Sequence, residues 1–151
     1  MALKVNALYS EASRGPLKRI QPAEGPGAKR VATFANVAGG PTLPVGTPVY
    51  VDLATGFLKK VVVGATLDAT NDIFGIICDS DVILDATSEV LGTIMVQGSI
   101  HYEEILAIHT AGVLAGTVQE LKNVLRKPTN WERGIVIEGL AHPIGNAGIT
   151  A

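Results

Sequence analysis

The stretch GTIMVQGSIHYEEI, residues 92–105, changes from a strand pattern to a helix pattern along its length. Ile94 and Val96 share one side of an alternating pattern, which predicts a β-strand that we extend over residues 90–100. Gly98 lies inside that strand and indicates a bulge or a close approach of another backbone segment. The residues that follow have the apolar spacing of a helix. The stretch therefore predicts a strand that leads directly into a helix.

The cluster HYEE at the end of this stretch supports two interpretations. His101 and Glu104 share one face of a helix, and with Glu103 they could form an acid–base or metal site. Acidic residues are also common in the first turn of a helix, because they interact favourably with its dipole. We interpret HYEE as the start of a helix over residues 101–109 and assign no catalytic, metal or cofactor residue. The alternative is a small oligomeric β-barrel enzyme or ligand-binding protein that uses this cluster.

The rest of the chain predicts a mainly β domain with one further short helix. Strands are predicted at residues 47–51, 57–63, 73–78 and 134–138, with a turn at residues 52–56. Thr117 and Glu120 form a capping-box pattern, and Pro128 ends the apolar stripe that follows them. These signals predict a helix over residues 117–127. Both helices are then inserted before the last strand.

Composition indicates a folded protein that has a partner. Hydrophobic residues make up 47% of the chain and charged residues only 17%, so we expect part of the apolar surface to be covered by another protein. The single cysteine, Cys78, excludes an intramolecular disulfide and fits a small buried hydrophobe. No signal peptide and no apolar run of about 18 residues is visible. We therefore expect a soluble protein, made in a cytoplasm and not associated with a membrane.

Residues 1–46 are predicted to form a long extended arm ahead of a β-rich domain at residues 47–151. Glycine and proline at residues 15–16, 25–27 and 39–41 interrupt every candidate helix or long strand in this region. An N-terminal segment of this length without secondary structure is unusual in a compact domain and is typical of functional or linker segments. We interpret it as an arm that binds a partner.

Charge is distributed unevenly between this arm and the rest of the chain. Residues 1–30 carry a net charge of +4 and residues 31–151 a net charge of −6. The basic residues lack the dense block or the interleaved aromatic residues that are typical of nucleic-acid binding. We expect the arm to dock on an acidic protein surface without direct contact to nucleic acid, and nucleic-acid binding through the arm is the alternative. The candidate contact residues are Lys4, Arg14, Lys18, Arg19, Lys29, Arg30, Val31 and Phe34.

Motifs that would indicate catalysis are absent from the sequence. It contains no phosphate-binding loop, dinucleotide fingerprint, nucleophile elbow or HExxH zinc motif. Asp79, Asp81 and Asp85 lack the spacing of an EF-hand loop, and we interpret them as solvated loop carboxylates. Trp131 lies between the second helix and the last strand and is predicted to anchor the core or a subunit interface. We expect no enzymatic activity and no cofactor.

The order of these segments resembles the head decoration proteins, or capsid cement proteins, of tailed phages. The matching pieces are GTPVYVD at residues 46–52, GIICDSD at residues 75–81, and the strand and helix start at residues 93–106. The resemblance covers about residues 44–110. It implies a compact, small β-barrel or β-tulip-like domain of the lambda-type decoration class.

The resemblance also implies a structural function. Such proteins commonly form trimers on the outer capsid surface, with an N-terminal arm that lies across major capsid protein subunits. We therefore expect a virion protein that clamps adjacent major capsid proteins and associates with itself, as a trimer or, alternatively, as a dimer. The long arm and the helix over residues 117–127 depart from the family pattern, which leaves the oligomeric number and the docking site open.

Overall fold

Residues 20–140, which this computed structural model describes, form short strands around two hydrophobic clusters, with three α-helices before the last strand. The strands are β1 (Ile20–Pro22), β2 (Lys29–Phe34), β3 (Thr42–Leu43), β4 (Pro48–Val51), β5 (Leu58–Lys60), β6 (Gly75–Ile77), β7 (Val82–Ile83), β8 (Val90–Met95), β9 (Gly98–His101) and β10 (Ile135–Glu138). The helices are α1 (Tyr102–Thr110), α2 (Val118–Leu125) and α3 (Pro128–Glu132), and a 3-10 turn spans Ala69–Asn71. The prediction of a mainly β domain is confirmed, and both predicted helices are present ahead of the last strand, as α1 and α2.

Five strands pair in an order that closes on itself, from β2 through β5, β4, β6 and β8 back to β2. The longest pairing joins β2 and β8 in antiparallel register, from Lys29 opposite Met95 to Phe34 opposite Val90. The link between β2 and β5 is the single parallel pair of Phe34 and Leu58. Each of the five strands contributes one fully or almost fully buried side chain to the first cluster, the ring core: Phe34, Leu58, Val49, Ile77 and Ile94.

The second cluster lies between this ring, the helices and a second sheet in which β9 pairs with β1 and β10. Its buried residues include Ile76, Met95, Ile105, Leu121 and Ile135, and we call it the helix-side core. A fully buried aliphatic side chain of this size stabilises the fold by roughly 1.5–3 kcal/mol. β6 is buried at every position because its neighbouring residues face different cores. The predicted fully buried strand at residues 73–78 is therefore confirmed, although β6 itself is shorter.

The predicted single strand over residues 90–100 is wrong, because the structure divides it into β8 and β9. The Val96 amide donates to the carbonyl oxygen of Ala28 at 2.8 Å, and the chain then leaves the ring for the second sheet. Gly98 opens β9 with a φ of +146°, and a Cβ at this position would lie 2.3 Å from the carbonyl oxygen of Gln21. The predicted close backbone approach at Gly98 is thus confirmed.

Residues 20–46 belong to the packed body and do not form part of an extended arm. β1, β2 and β3 pair with β9, β8 and β7, and Phe34 and Leu43 are buried in the ring core. The glycines at residues 25–27 and 39–40 adopt positive φ in tight turns between these strands. The predicted domain boundary between residues 46 and 47 therefore does not mark the start of the packed body. Residues 1–19 of the predicted arm lie outside the described part of the chain, as do residues 141–151.

Both predicted helix starts are confirmed by their caps. Thr117 and Glu120 form the predicted capping box, with the Thr117 Oγ1 accepting from the Glu120 amide at 3.1 Å. Pro128 ends α2 as predicted, but it also occupies the first turn of α3, a five-residue helix that was not predicted. β7 was likewise missed inside a predicted loop. Within residues 20–140, no helix combines the length and apolar character needed to cross a membrane.

Candidate functional site

An exposed apolar strip lies on the outer face of the β2–β8 pair. Val31 is opposite Thr93, and Thr33 is opposite Leu91, so the four side chains share one face of the sheet. Val31 is 68% exposed and Leu91 is 70% exposed, whereas the two threonines are half-buried. We call these four residues the β2–β8 strip. Val31 and Leu91 are diagonal neighbours across the pair, and exposed apolar side chains that share a sheet face indicate a surface that contacts another molecule.

The opposite face of the same two strands holds the strip rigidly in place. Phe34 is fully buried in the ring core, and Ala32 packs against that core from the same side of β2. A Cβ on Gly92 would lie 2.6 Å from Val82 Cγ2 and 2.8 Å from Phe34 Cε1, so glycine allows β8 to lie directly against these side chains. The strip therefore belongs to a packed, preorganised sheet, which lowers the entropy cost of binding.

The predicted arm residues are found in different environments. Val31 is in the strip, and Lys29 next to it forms an ion pair with Asp79 at 3.2 Å, with both side chains about half exposed. Arg30 faces the opposite side of β2 and lines a groove. Phe34 is completely buried, so its prediction as a contact residue is wrong: in the alternating strand it points to the core. The remaining predicted residues, Lys4, Arg14, Lys18 and Arg19, lie outside the described residues.

The HYEE cluster is the start of α1. His101 is the last residue of β9 and the N-cap of the helix, and its Nδ1 accepts from the Glu103 amide at 3.2 Å. Glu103 and Glu104 occupy the first turn, where the helix dipole favours negative charge. A Cβ on Gly139 would lie 2.6 Å from His101 Cε1, so the imidazole packs directly on that backbone. Across residues 20–140, no three His, Cys, Asp or Glu side chains converge as metal ligands.

The carboxylates of the loop after β6 each have a separate local partner. Asp81 Oδ1 accepts from the Val45 amide at 2.8 Å and ties this loop to the segment before β4. Asp85 Oδ2 accepts from the Ser88 amide at 2.9 Å. Backbone hydrogen bonds from Thr87 and Ser88 lower the pKa of Asp85 below its ordinary value. The carboxylates therefore fix the loop rather than converge on one ion.

Cys78 is buried, as predicted, and lies in the helix-side core. Burial, with a smaller effect from the neighbouring charge of Asp79, raises the pKa of the thiol to about 11. A thiol with this pKa is almost entirely protonated at neutral pH, and the thiolate is the reactive form. Its position and pKa fit the predicted role as a small hydrophobe.

A groove of about 640 Å³ opens on the other side of β2. It is lined by Gly27, Arg30, Val51, Leu53, Ala69, Asp72, Phe74, Val96, Gln97 and Arg133. Asp72 forms an ion pair with Lys127. No carboxylate of residues 20–140 pairs with Arg30 or Arg133, and the Arg133 side chain donates only a long bond, 3.5 Å, to the Ile73 carbonyl oxygen. The groove thus combines an apolar floor with two guanidinium groups.

Sequence patterns did not identify this groove, and they identified only Val31 of the strip. The groove residues come from five separate segments of the chain, and Leu91 was assigned to a strand without any indication of which face it occupies. Trp131 is half-buried on α3, and its role at a subunit interface stays a prediction. A search against protein-family models found no match for this chain, and neither did a search of curated proteins.

Proposed function

We propose that this protein is a structural virion protein that decorates the outer surface of an icosahedral phage capsid and stabilises it by clamping adjacent major capsid proteins. The observation that carries the proposal is the β2–β8 strip, in which Val31 and Leu91 are exposed on a rigid sheet. Exposed apolar side chains that share one face of a sheet are typical of a contact surface. The resemblance of residues 44–110 to decoration proteins supplies the class of partner.

The closed strand order supports the finer fold assignment, a small β-barrel or β-tulip-like domain of the decoration type. The five paired strands surround a single apolar core, as expected for a small barrel whose interior is filled by side chains. A scaffold of this kind presents binding residues on its outer face without changing its interior.

The proposed contact buries the strip against major capsid protein. Complete burial of a valine or leucine side chain contributes roughly 1.5–3 kcal/mol, so one strip provides modest affinity. Many copies on one shell act together, and each copy that touches two capsid subunits links them. The basic residues near the N-terminus, Lys4, Arg14, Lys18, Arg19, Lys29 and Arg30, would then steer the protein towards acidic capsid surface.

Self-association is the second part of the proposal, with a homotrimer favoured and a dimer as the alternative. Trp131 is the predicted interface anchor because aromatic side chains contribute disproportionately to such contacts. The proposed function requires no cofactor, no membrane and no direct contact with nucleic acid.

The strip is tested by introducing charge on it. We expect the Val31→Asp/Leu91→Asp variant to lose binding to expanded shells assembled from the major capsid protein of the same genome. The loss should exceed tenfold in dissociation constant, equal to about 1.4 kcal/mol, because two carboxylates would have to be desolvated at the contact. Binding is measured by co-sedimentation of the protein with the shells.

The matched control is Val62→Asp, which adds a charge at a half-exposed valine outside the strip. This variant should bind the shells as the unmodified protein does. Thermal unfolding of all variants shows whether the domain is intact. Unchanged decoration by a folded Val31→Asp/Leu91→Asp variant would overturn the proposed contact, and absence of binding by the unmodified protein would overturn the proposed function.

A further inference from the structure

The groove beside β2 has the chemistry of a docking site for an acidic and apolar segment. Leu53 stands at its edge with 86% of its side chain exposed, and Val51, Phe74 and Val96 provide further apolar surface. Arg30 and Arg133 add two positive charges. The one carboxylate in the lining, Asp72, already has Lys127 as its partner, so the charge of the groove remains positive.

A segment with the complementary character lies elsewhere on the same chain. Residues 79–89, DSDVILDATSE, contain four acidic residues and no lysine or arginine; we call this the acidic segment. Ile83 projects from its centre and is 70% exposed. Val82 and Leu84 on either side are buried in the ring core, and β7 pairs with β3. The segment is therefore held in a fixed conformation with its four acidic residues and Ile83 exposed.

These contacts prevent the acidic segment from reaching the groove of its own chain. Its buried anchors hold it against β3, its Asp79 pairs with Lys29, and no residue of the segment lines the groove. We propose that the acidic segment of one copy docks in the groove of a second copy. Ile83 would pack beside Leu53 and the apolar floor, and the carboxylates would approach Arg30 and Arg133.

An interface of this kind is heterologous, because it joins two different surfaces of identical chains. Heterologous contacts repeat from copy to copy and either close into a ring or continue as a filament. The inference rests on the self-association included in the proposed function and assigns it to two surfaces. The groove side of this contact does not involve the β2–β8 strip, since Arg30 and Val31 are consecutive strand residues that point to opposite faces.

Sedimentation velocity over a micromolar to millimolar concentration series tests the inference in the full-length protein. The groove variant is Leu53→Asp/Arg30→Glu, and the segment variant is Ile83→Asp/Glu89→Lys. We expect the unmodified protein to sediment as a closed oligomer and each variant as a monomer, with a dissociation constant raised more than tenfold. Increasing salt should weaken the unmodified oligomer, because the charge contribution is screened.

Mixing the two variants provides the decisive measurement. The groove variant keeps an intact acidic segment and the segment variant keeps an intact groove, so an equimolar mixture should form one-to-one dimers and nothing larger. These dimers need higher concentrations than the unmodified ring, because they have a single contact and no closure. The control is Val118→Asp, at an exposed valine in the first turn of α2, and it should assemble normally.

Three results would overturn the inference: an unmodified protein that stays monomeric throughout the series, a folded variant that still assembles alone, or a mixture that stays monomeric. Thermal unfolding establishes that the variants are folded. The Val31→Asp/Leu91→Asp protein separates this inference from capsid binding. It should still form the oligomer in solution while failing to bind shells, so either contact can fail without the other.

Discussion

Gly98 lies so close to the backbone of Gln21 that a Cβ on the glycine would sit 2.3 Å from the Gln21 carbonyl oxygen. The same Cβ would lie 2.7 Å from both Met95 Sδ and Pro22 Cα. The φ of +146° at Gly98 is also strained for any residue that carries a side chain. The pairing of β1 with β9 therefore depends on the absence of a side chain at this position.

Gly98→Ala should accordingly lower the free energy of unfolding by about 2–4 kcal/mol, through backbone strain and overpacking together. Urea unfolding followed by circular dichroism measures the change. Gly64→Ala is the matched control, since a Cβ there meets nothing within 4 Å, and it should be close to neutral. Equal stability of the two variants would contradict the close approach.

Deletion of residues 2–30 tests where the packed body begins. It removes β1, the buried Ala28 and the first two residues of β2, so we expect loss of cooperative thermal unfolding. Deletion of residues 2–19 leaves every described strand in place and should preserve the transition. If the protein lacking residues 2–30 unfolds with a normal cooperative transition, the packed body does not require these residues, as the prediction of a separate arm over residues 1–46 implies.

Lys127 makes the least exposed ion pair in the described range, with 15% of its side chain exposed. It pairs with Asp72 and donates to the Asp68 carbonyl oxygen at 2.9 Å. Lys127→Met should cost about 1–3 kcal/mol in unfolding free energy, because the half-buried Asp72 carboxylate loses its partner.

The comparison for this variant is Lys59→Met, which breaks the more exposed pair of Lys59 with Asp52. Exposed pairs contribute little because solvent screens them, so urea unfolding should show the smaller loss for Lys59→Met. A larger effect at Lys59 than at Lys127 would show that burial does not determine the strength of these pairs.

The lowered pKa of Asp85 predicts that the stability of the protein depends on pH. Its pKa is lower in the folded protein than its ordinary value of 3.8. The unfolded chain therefore takes up the proton first as pH falls. The stabilisation by this carboxylate is complete above its ordinary pKa and is lost as pH falls through the folded value.

We expect the stability of Asp85→Asn to fall less steeply as the pH is lowered, because asparagine keeps a hydrogen-bond acceptor but does not titrate. Urea unfolding midpoints between pH 6 and pH 2, a range of about two units on either side of an ordinary aspartate pKa, provide the measurement. If the midpoint of the variant falls with pH as steeply as that of the unmodified protein, Asp85 does not contribute to the loss of stability at low pH.

Local signals predicted much of the secondary structure correctly. The capping box at Thr117, the acidic first turn after His101 and the apolar run containing β6 each act over a few neighbouring residues. The division between β8 and β9 was not predictable in this way. Val96 and Gln97 are not typical turn residues, and the change of direction depends on a hydrogen bond to Ala28, far away in the chain.

The candidate surfaces were only partly predictable for the same reason. Val31 was identified from an apolar patch, but Leu91 joins it only through the register of β2 with β8. Phe34 belongs to the same patch and was placed incorrectly, because alternation divides the patch between a buried and an exposed face. Glycine and proline in residues 20–46 mark turns between paired strands, a distinction that requires knowledge of the pairing partners.

Adjacent residues of β8 face different cores, since Ile94 belongs to the ring core and Met95 to the helix-side core. β6 repeats this arrangement with Ile77 and Ile76. β6 and β8 therefore contribute to both hydrophobic clusters. Unfolding of either cluster would displace these strands and disrupt the other cluster as well. The two halves of the domain should lose their structure in a single cooperative transition, with no half-folded intermediate that would expose either core to aggregation.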